Sequence, residues 1–456
     1  MSNTFPLVSR RPNDHIAYLT HPIEVIGLEH RLISTTQFVT HVYQVAECLP
    51  TGKYAINLCE NRYLFLVGFC AAILRGDVNL LPPNKNTATQ KELSEDYYGC
   101  YIIHDGSDAV RGMPAINILS VSFASDVHPQ CSVPMIANDQ LACISFTSGS
   151  TGKSKPNLKY WHTLHRSSAI NYKFMMPDSP ATVYQLATVP AQHMWGLETS
   201  ILLSMFSDIC MSDAKPLFPQ DILAGLEMLP EPKMLISTPV HLRALCASVE
   251  SAKPLHSVLC ATSPLTAELA KEIEEAFSAP LREVYGCSEV GSMAVRQTAV
   301  DNNWLKFDEL FFGQQAGTTT VTAEHLPEAT VLQDVIKFQT DNRFVLAGRT
   351  SDLVKIAGKR GSLFAINQTL LRYKGLEDGI VFYPQEANQV TRLVAIVALK
   401  EGVEKAELLA FLKQHLDSAF VPRPVYVVDV LPREPNGKLL RKNVDALHAS
   451  LRKSRI

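Results

Sequence analysis

Short apolar blocks recur along this chain at intervals that fit strands and helices in turn. Tyr54-Ala-Ile-Asn-Leu58 predicts a strand, Tyr63 to Leu74 the helix after it, and Val78-Asn-Leu-Leu81 a second strand. The rhythm returns at Val183-Tyr-Gln-Leu-Ala187, Met234-Leu-Ile-Ser237 and Ser257-Val-Leu-Cys260, which predicts parallel α/β layering. Leu141-Ala-Cys-Ile-Ser-Phe146 reads as a further, buried strand. The C-terminal part forms a separate unit with a helix over Glu404–Leu416 and strands over Gly379–Phe382, Leu393–Leu399 and Val425–Val430. No internal repeat or low-complexity tract interrupts the pattern.

A chain of 456 residues exceeds one ordinary core and suggests about two or three domains. Hydrophobic content of 46% with 19% charged residues is that of a folded globular protein. A formal net charge of -3 gives no reason to expect nucleic acid or a membrane surface as a global partner. The ten cysteines are scattered singly, with no Cys-x-x-Cys pair, which argues against structural zinc and fits a reducing compartment. The longest apolar contender for a membrane span, Leu64 to Leu74, is broken by Gly68 and ends at Arg75. Met-Ser-Asn-Thr-Phe lacks the charged-then-apolar layout of a signal peptide, so a cytoplasmic location is expected.

Residues 147–155, Thr-Ser-Gly-Ser-Thr-Gly-Lys-Ser-Lys, carry the first chemical signal. They follow the strand ending at Phe146 and gather hydroxyls, glycines and exposed backbone N–H groups at one point, with Lys153 and Lys155 adding positive charge. That suits a polyphosphate, and the expectation is an ATP-binding loop. A Walker P-loop is excluded. It needs glycine where Thr147 stands, and Pro156-Asn157 follows where a helix would have to open.

Four more segments follow in order: Pro190-Ala-Gln-His193-Met-Trp-Gly196, Val284-Tyr-Gly-Cys-Ser-Glu289, Gly348-Arg-Thr-Ser-Asp-Leu-Val-Lys-Ile-Ala-Gly-Lys-Arg360 and Leu431-Pro-Arg-Glu-Pro-Asn-Gly-Lys438, the last ending at Arg441. With the loop, they resemble the signature segments of the adenylate-forming (ANL) superfamily of acyl- and aryl-CoA synthetases, adenylation domains and luciferases. Ser154 stands where that family usually has proline, and Ser288 where it has threonine. The resemblance implies a multilayered αβ large domain over 1–348 and a small mobile α+β domain over 349–456, turning about Ser351, with Gly358 approaching the thiol channel. It implies an ATP site built from Thr147, Ser148, Gly149, Ser150, Thr151, Gly152 and Lys155, from Thr262 and Ser263 against the adenine, and from Tyr285, Gly286, Asp334 and Arg349. Glu289 would hold Mg²⁺ beside Ser288, and Lys438 would be the catalytic lysine facing the α-phosphate and carboxylate oxygens, with His193 nearby. Between Ser292 and Val331 the chain is shorter than its look-alikes, and Thr318-Thr-Thr-Val-Thr322 is the nearest thing to their Gly-Glu-Leu strand. Cys287 is expected to be a buried filler.

The acid pocket is expected at His193, Met194, Trp195 and Gly196. The segment offers no carboxylate before Glu198 to pair an α-ammonium, so the acid is expected to lack an α-amine. Met194 and Trp195 supply flat, polarizable surface that suits an aryl ring and equally an acyl chain. The phrasing around His193 resembles hydroxybenzoate ligases of aryl-polyene and xanthomonadin pigment pathways, which implies an acyl carrier protein or CoA as thiol acceptor. From Leu431 onward seven Lys/Arg face two acids, a basic end that could attract an acidic carrier or CoA phosphates. The alternatives are a fatty acyl-CoA synthetase and a catalytically silent adenylate-binding protein.

Overall fold

A computed structural model describes residues 3–23, 27–28, 31–106, 112–123, 132–148, 154–177, 182–249, 252–315, 318–349, 352–356, 359–384, 392–434 and 437–453. The N-terminal part packs helices around two large sheets. The first has six strands, built on Tyr54–Asn57 (β1), Val78–Leu81 (β2), Leu141–Ser148 (β3) and Ser154–Tyr160 (β4) in the order β4-β3-β2-β1, continued by Cys100–His104 and Ala115–Asn117. β1, β2 and β3 run parallel to one another, while β4 turns back antiparallel to β3 along the edge, with Ser148 opposite Ser154 and Phe146 opposite Pro156. An edge is where a strand tolerates proline, because no ladder N–H is demanded of it there.

The helix Arg62–Leu74 (α2) packs on this sheet, and Thr35–Cys48 (α1) packs on α2. α2 starts at Asn61, whose side chain accepts from Leu64 N at 3.1 Å, and nearly all its length is buried. Two wholly buried asparagines tie α2 to the strands, Asn57 Nδ2 donating to Phe65 O at 2.9 Å and Asn79 Nδ2 to Phe69 O at 3.1 Å. The apolar run around Leu64–Leu74 is therefore a core helix, and among the described residues no helix is long and apolar enough to cross a membrane.

The second sheet has eleven strands. Its middle is parallel, running from Leu281–Cys287 (β5) through Ser257–Cys260, Lys233–Ser237, Val183–Ala187 and Ile209–Ser212 to His15–Tyr18. On the far side of β5 the sheet becomes antiparallel through Gly291–Arg296 (β6), Trp304–Lys306, Arg343–Arg349 (β7) and Asp334–Phe338. Thr318–Thr322 is the middle strand of a three-stranded antiparallel sheet that turns Val321 inward.

Hydrophobic clusters divide between Phe344, which packs with the large-domain core, and Ile356, which packs with Leu370, Val381, Leu408 and Val425 in a core of the small domain. That domain carries a sheet of Leu376–Phe382, Val394–Leu399 and Val425–Val427. The last strand stops short of the expected Val430, which is 76% exposed; an apolar residue with nothing to cover it does not extend the ladder. The first begins earlier than expected because Leu376 pairs with Leu399 and is buried. The α/β fold with a large and a small domain is thus as expected from the sequence.

Four imidazoles are held neutral by this packing. Burial pushes His41 down to about 3, and His165, His193 and His325 each to about 4. Below pH 6.5 the unfolded chain takes up protons that the folded chain refuses, so stability is full above that value and falls as pH drops toward 4. The slope is at most about 1.4 kcal/mol per pH unit for each fully buried ring. Thermal melts between pH 7 and 5 are expected to show this fall, and His41→Phe is expected to flatten it.

Candidate active site

The loop that carries the first chemical signal lies at the tip of the β3–β4 hairpin. Gly149, Ser150, Thr151 and Gly152, with Lys153, fall outside the described residues, as do the side chains of Thr147 and Ser148. Lys155 follows on β4 opposite Thr147, with its side chain exposed. The chain leaves the loop as a strand, which agrees with the rejection of a P-loop.

Tyr285, near the end of β5, is buried against Trp304 and Phe344. Its hydroxyl donates to Asp334 Oδ2 at 2.9 Å, and Arg349 Nε donates to Asp334 Oδ1 at 3.0 Å. Asp334 pairs with Arg349 across the β-ladder as well. Burial and the neighbouring Asp334 push the phenol far up, so Tyr285 remains a neutral donor. Three residues separated by tens of positions thereby form one polar wall. Cys287 is half-buried, and burial pushes its thiol up to about 12, which rules out a ready nucleophile. Beyond Gly286, Ser288 is half-buried and the Glu289 side chain is exposed.

The backbone carbonyl of Glu289 accepts a 2.7 Å bond from Lys159 Nζ, on β4. Lys159 is 2% exposed and lies within electrostatic reach of Glu198, an equally buried carboxylate that accepts from Ser292 Oγ at 2.7 Å. Sequence reasoning missed both residues. Lys159 lies on an edge strand turned so that Leu158 is 46% exposed and the lysine points inward, and Glu198 lies in the helical segment Leu197–Leu202; neither is marked by the sequence alone.

His193 begins the short helix Met194–Gly196 and is half-buried. Burial, then the charges of Lys215, Lys438 and Lys85, hold its ring at about 4, so at neutral pH it offers one donor and one acceptor but no charge. Met194 packs toward the first core and Trp195 toward the second, and buried Trp195 Nε1 has no acceptor among the described residues. Gly196 is buried where a Cβ would lie 2.0 Å from Pro190 O, so it closes the turn that presents His193 rather than facing a ligand.

Thr262 and Ser263 line a groove of about 250 Å³ between the domains, with Arg243 from Pro239–Ser248 (α3) on the same wall. Asp378, Arg433 and Lys438 face them from the small domain. Thr262 has φ +85, a conformation glycine adopts freely and a β-branched residue at a cost. Lys438 ends a tight turn in which Gly437 N donates to Glu434 O at 2.8 Å, and Arg433 braces it by donating to Gly437 O at 2.7 Å and to both Asp378 oxygens at 2.6 and 2.7 Å. A Cβ on Gly437 would sit 3.0 Å from Thr238 Oγ1, so the turn is seated on the large domain. Partial burial and Arg349 lower the Lys438 pKa while Glu289 raises it. Lys438 itself is exposed at the groove. Ser351 and Gly358 lie outside the described residues.

A profile of AMP-binding enzymes matches residues 52–309, and one of the AMP-binding enzyme C-terminal domain matches 366–438. The chain belongs to the AMP-binding enzyme family. It is 19% identical over 311 residues to the 3,4-dihydroxybenzoate–[aryl-carrier protein] ligase of Bacillus anthracis, covering 67% of this chain and 73% of that protein. It is 26% identical over 298 residues to the 4-coumarate–CoA ligase of Cereibacter sphaeroides, covering 64% and 69%. ATP-bound MatB from Rhodopseudomonas palustris has the same fold, with a TM-score of 0.78 at 18% identity over 98% of each chain. This AMP-binding enzyme is an acid–thiol ligase by family.

Relief of the backbone strain is testable. Thr262→Gly in this AMP-binding enzyme is expected to stabilise the large domain by about 1 kcal/mol net of the added chain entropy. A raised urea midpoint with an unchanged slope checks it.

Proposed function

We propose that this ligase uses ATP to adenylate a carboxylic acid lacking an α-amine, of hydroxybenzoate type, and passes the acyl group to a phosphopantetheine thiol on an acyl carrier protein. The observation that carries this reading is the meeting of His193, Glu289, Arg349 and Lys438 within electrostatic reach around one cleft, although they come from four distant segments. The aryl acids named for the two relatives, and the ATP bound in the structural neighbour, support it.

The first step joins a carboxylate oxygen to the α-phosphorus and expels pyrophosphate, bringing two anions together. Lys438 neutralises that approach and stabilises the charge building on the oxygens around phosphorus. Asp334 and Arg349 take the ribose hydroxyls, Tyr285, Thr262 and Ser263 flank the base, and residues 147–152 with Lys155 take the β- and γ-phosphates. Glu289 suits Mg²⁺, because its carboxylate is exposed and without an ion pair among the described residues. Among those residues no cluster of three or more ligands exists, and a hard cation shared between one carboxylate, phosphates and water needs none. When bound, that ion supplies charge neutralisation at the phosphates. Ser288 adds a hydroxyl beside it, and neutral His193 orients the carboxylate against Met194 and Trp195. Once the acyl-adenylate has formed, the 349–456 unit turns about Ser351, and the thiol sulfur attacks the carbonyl carbon, releasing AMP. A closed site shields the mixed anhydride from water between the steps.

Acid-dependent ATP–pyrophosphate exchange across benzoates, cinnamates, fatty acids and amino acids tests the reading. Exchange with a hydroxybenzoate is expected, as the likeness to pigment-pathway ligases implies. Exchange driven by fatty acids would make the chain a fatty acyl-CoA synthetase, and silence across the panel would make it an adenylate-binding protein. Lys438→Ala is expected to lower exchange about 10²- to 10³-fold while the protein stays folded.

The helix Arg441–Lys453 (α4) leaves Lys442, Arg452 and Lys453 exposed, with Arg455 beyond the described residues. Charge reversal at Arg452, Lys453 and Arg455 is expected to slow loading of a carrier protein about tenfold at low salt. An unchanged loading rate there would remove the steering role.

A further inference from the structure

The turn between β5 and β6 carries Ser288 and Glu289, and it is gripped at both ends by buried charges that no step above uses. At one end Lys159 Nζ donates to Glu289 O at 2.7 Å. At the other, Glu198 accepts from Ser292 Oγ at 2.7 Å and Ser292 N at 3.3 Å. Gly291, φ +97, lies so close over this carboxylate that a Cβ would stand 2.3 Å from Glu198 Oε1. Both side chains are 2% exposed.

Their positions in the fold give the grip its meaning. Lys159 belongs to β4, the strand that emerges from the phosphate-type loop and edges the first sheet, whereas the Glu289 turn caps β5 in the second sheet. The Lys159 bond therefore ties the hairpin beneath residues 147–155 to the turn that bears the exposed carboxylate. Glu198 comes from the helical segment just after His193, so the third wall of the cleft is tied to the same turn. Burial lowers the Lys159 pKa and raises that of Glu198, and two ionisable groups out of water are a poor way to gain stability, since well-packed apolar residues of similar volume do as well or better. Fixed geometry is what such a pair can supply.

We propose that Lys159 and Glu198 are positioning residues: they fix the turn that bears the Glu289 carboxylate against β4 and against the segment after His193, so that the carboxylate is placed to hold a divalent cation. The proposal rests on the assignment of Glu289 to the cation. Lys159 acts through a backbone carbonyl and Glu198 through Ser292, so neither touches nucleotide or acid.

Calorimetric titration of ATP into the full chain, with and without magnesium, separates this role from a structural one and from the catalytic reading. ATP binding strengthened by magnesium in the unaltered protein, and losing that gain in Glu289→Gln, would uphold the assignment on which the proposal stands; no such gain would overturn both. Lys159→Met with Glu198→Gln removes both charges while keeping volume and an acceptor for Ser292. This variant is expected to melt within a few degrees of the parent, to bind ATP alone unchanged, and to lose about tenfold of the magnesium-dependent gain. An undiminished gain would overturn the proposal, as would equal weakening of ATP binding with and without magnesium. If the double variant fails to fold, Lys159→Arg keeps the charge but changes its reach. A reduced magnesium gain in that variant would support the proposal, and an unchanged one would overturn it.

Discussion

A buried guanidinium holds the two sheets of the large domain in register. Arg62 opens α2, over the first sheet, yet its Nη2 donates to Ala187 O at 2.9 Å and Val189 O at 2.8 Å at the end of a strand of the second, and its Nη1 donates to the Ser200 hydroxyl. Burial lowers its pKa only to about 10, so it remains charged at neutral pH. Taking such a cation out of water is costly unless acceptors replace its hydration, and three fixed oxygens do so here. Because those oxygens flank Pro190–Gly196, the same contact that joins the sheets also fixes the segment presenting His193. The cleft lies between two sheets that share no strand, so its shape depends on links of this kind.

Electrostatics around the cleft follow from what must enter it. Lys85 and Lys215 stand near His193, but Glu60 bridges them at 2.8 and 2.6 Å, so part of their charge is already spent. Arg349 is likewise committed to Asp334. Lys438 differs in belonging to the other domain, on a turn that Arg433 and Asp378 stiffen before it reaches the site. A preorganised ammonium needs little reorganisation when two anions meet beside it.

Much of this was legible in the sequence, and the omissions share a cause. The strands at Val78–Leu81, Val183–Ala187 and Ser257–Cys260 were readable because buried parallel strands are short continuous apolar runs. The segments around Tyr285, Arg349 and Lys438 were readable through their resemblance to the signature segments of a known family. Asp334 could be placed by spacing alone, and it lies within hydrogen-bond distance of Tyr285 and Arg349. Arg62, Lys159 and Glu198 left no comparable trace. Each is a charged residue in or beside an apolar element, and only the approach of a second sheet turns it inward. Thr262 is the reverse case, since its place in the expected ATP site is legible in the sequence while its positive φ is not.

The seam between the domains completes the logic. Its described contacts include Gly437 against Thr238, Gly348 of β7 against Phe364 and Ser362, and Arg243 within electrostatic reach of Asp378, which Arg433 already satisfies. The groove beside them stays open and partly lined with charge, where a permanent interface would be filled with apolar side chains. The seam is specific in orientation, because Gly437 admits a close approach to Thr238 that a side chain would block. Under the proposed reading, in which Lys438 serves the first half-reaction and withdraws for the next, an open and geometrically specific seam suits the chemistry.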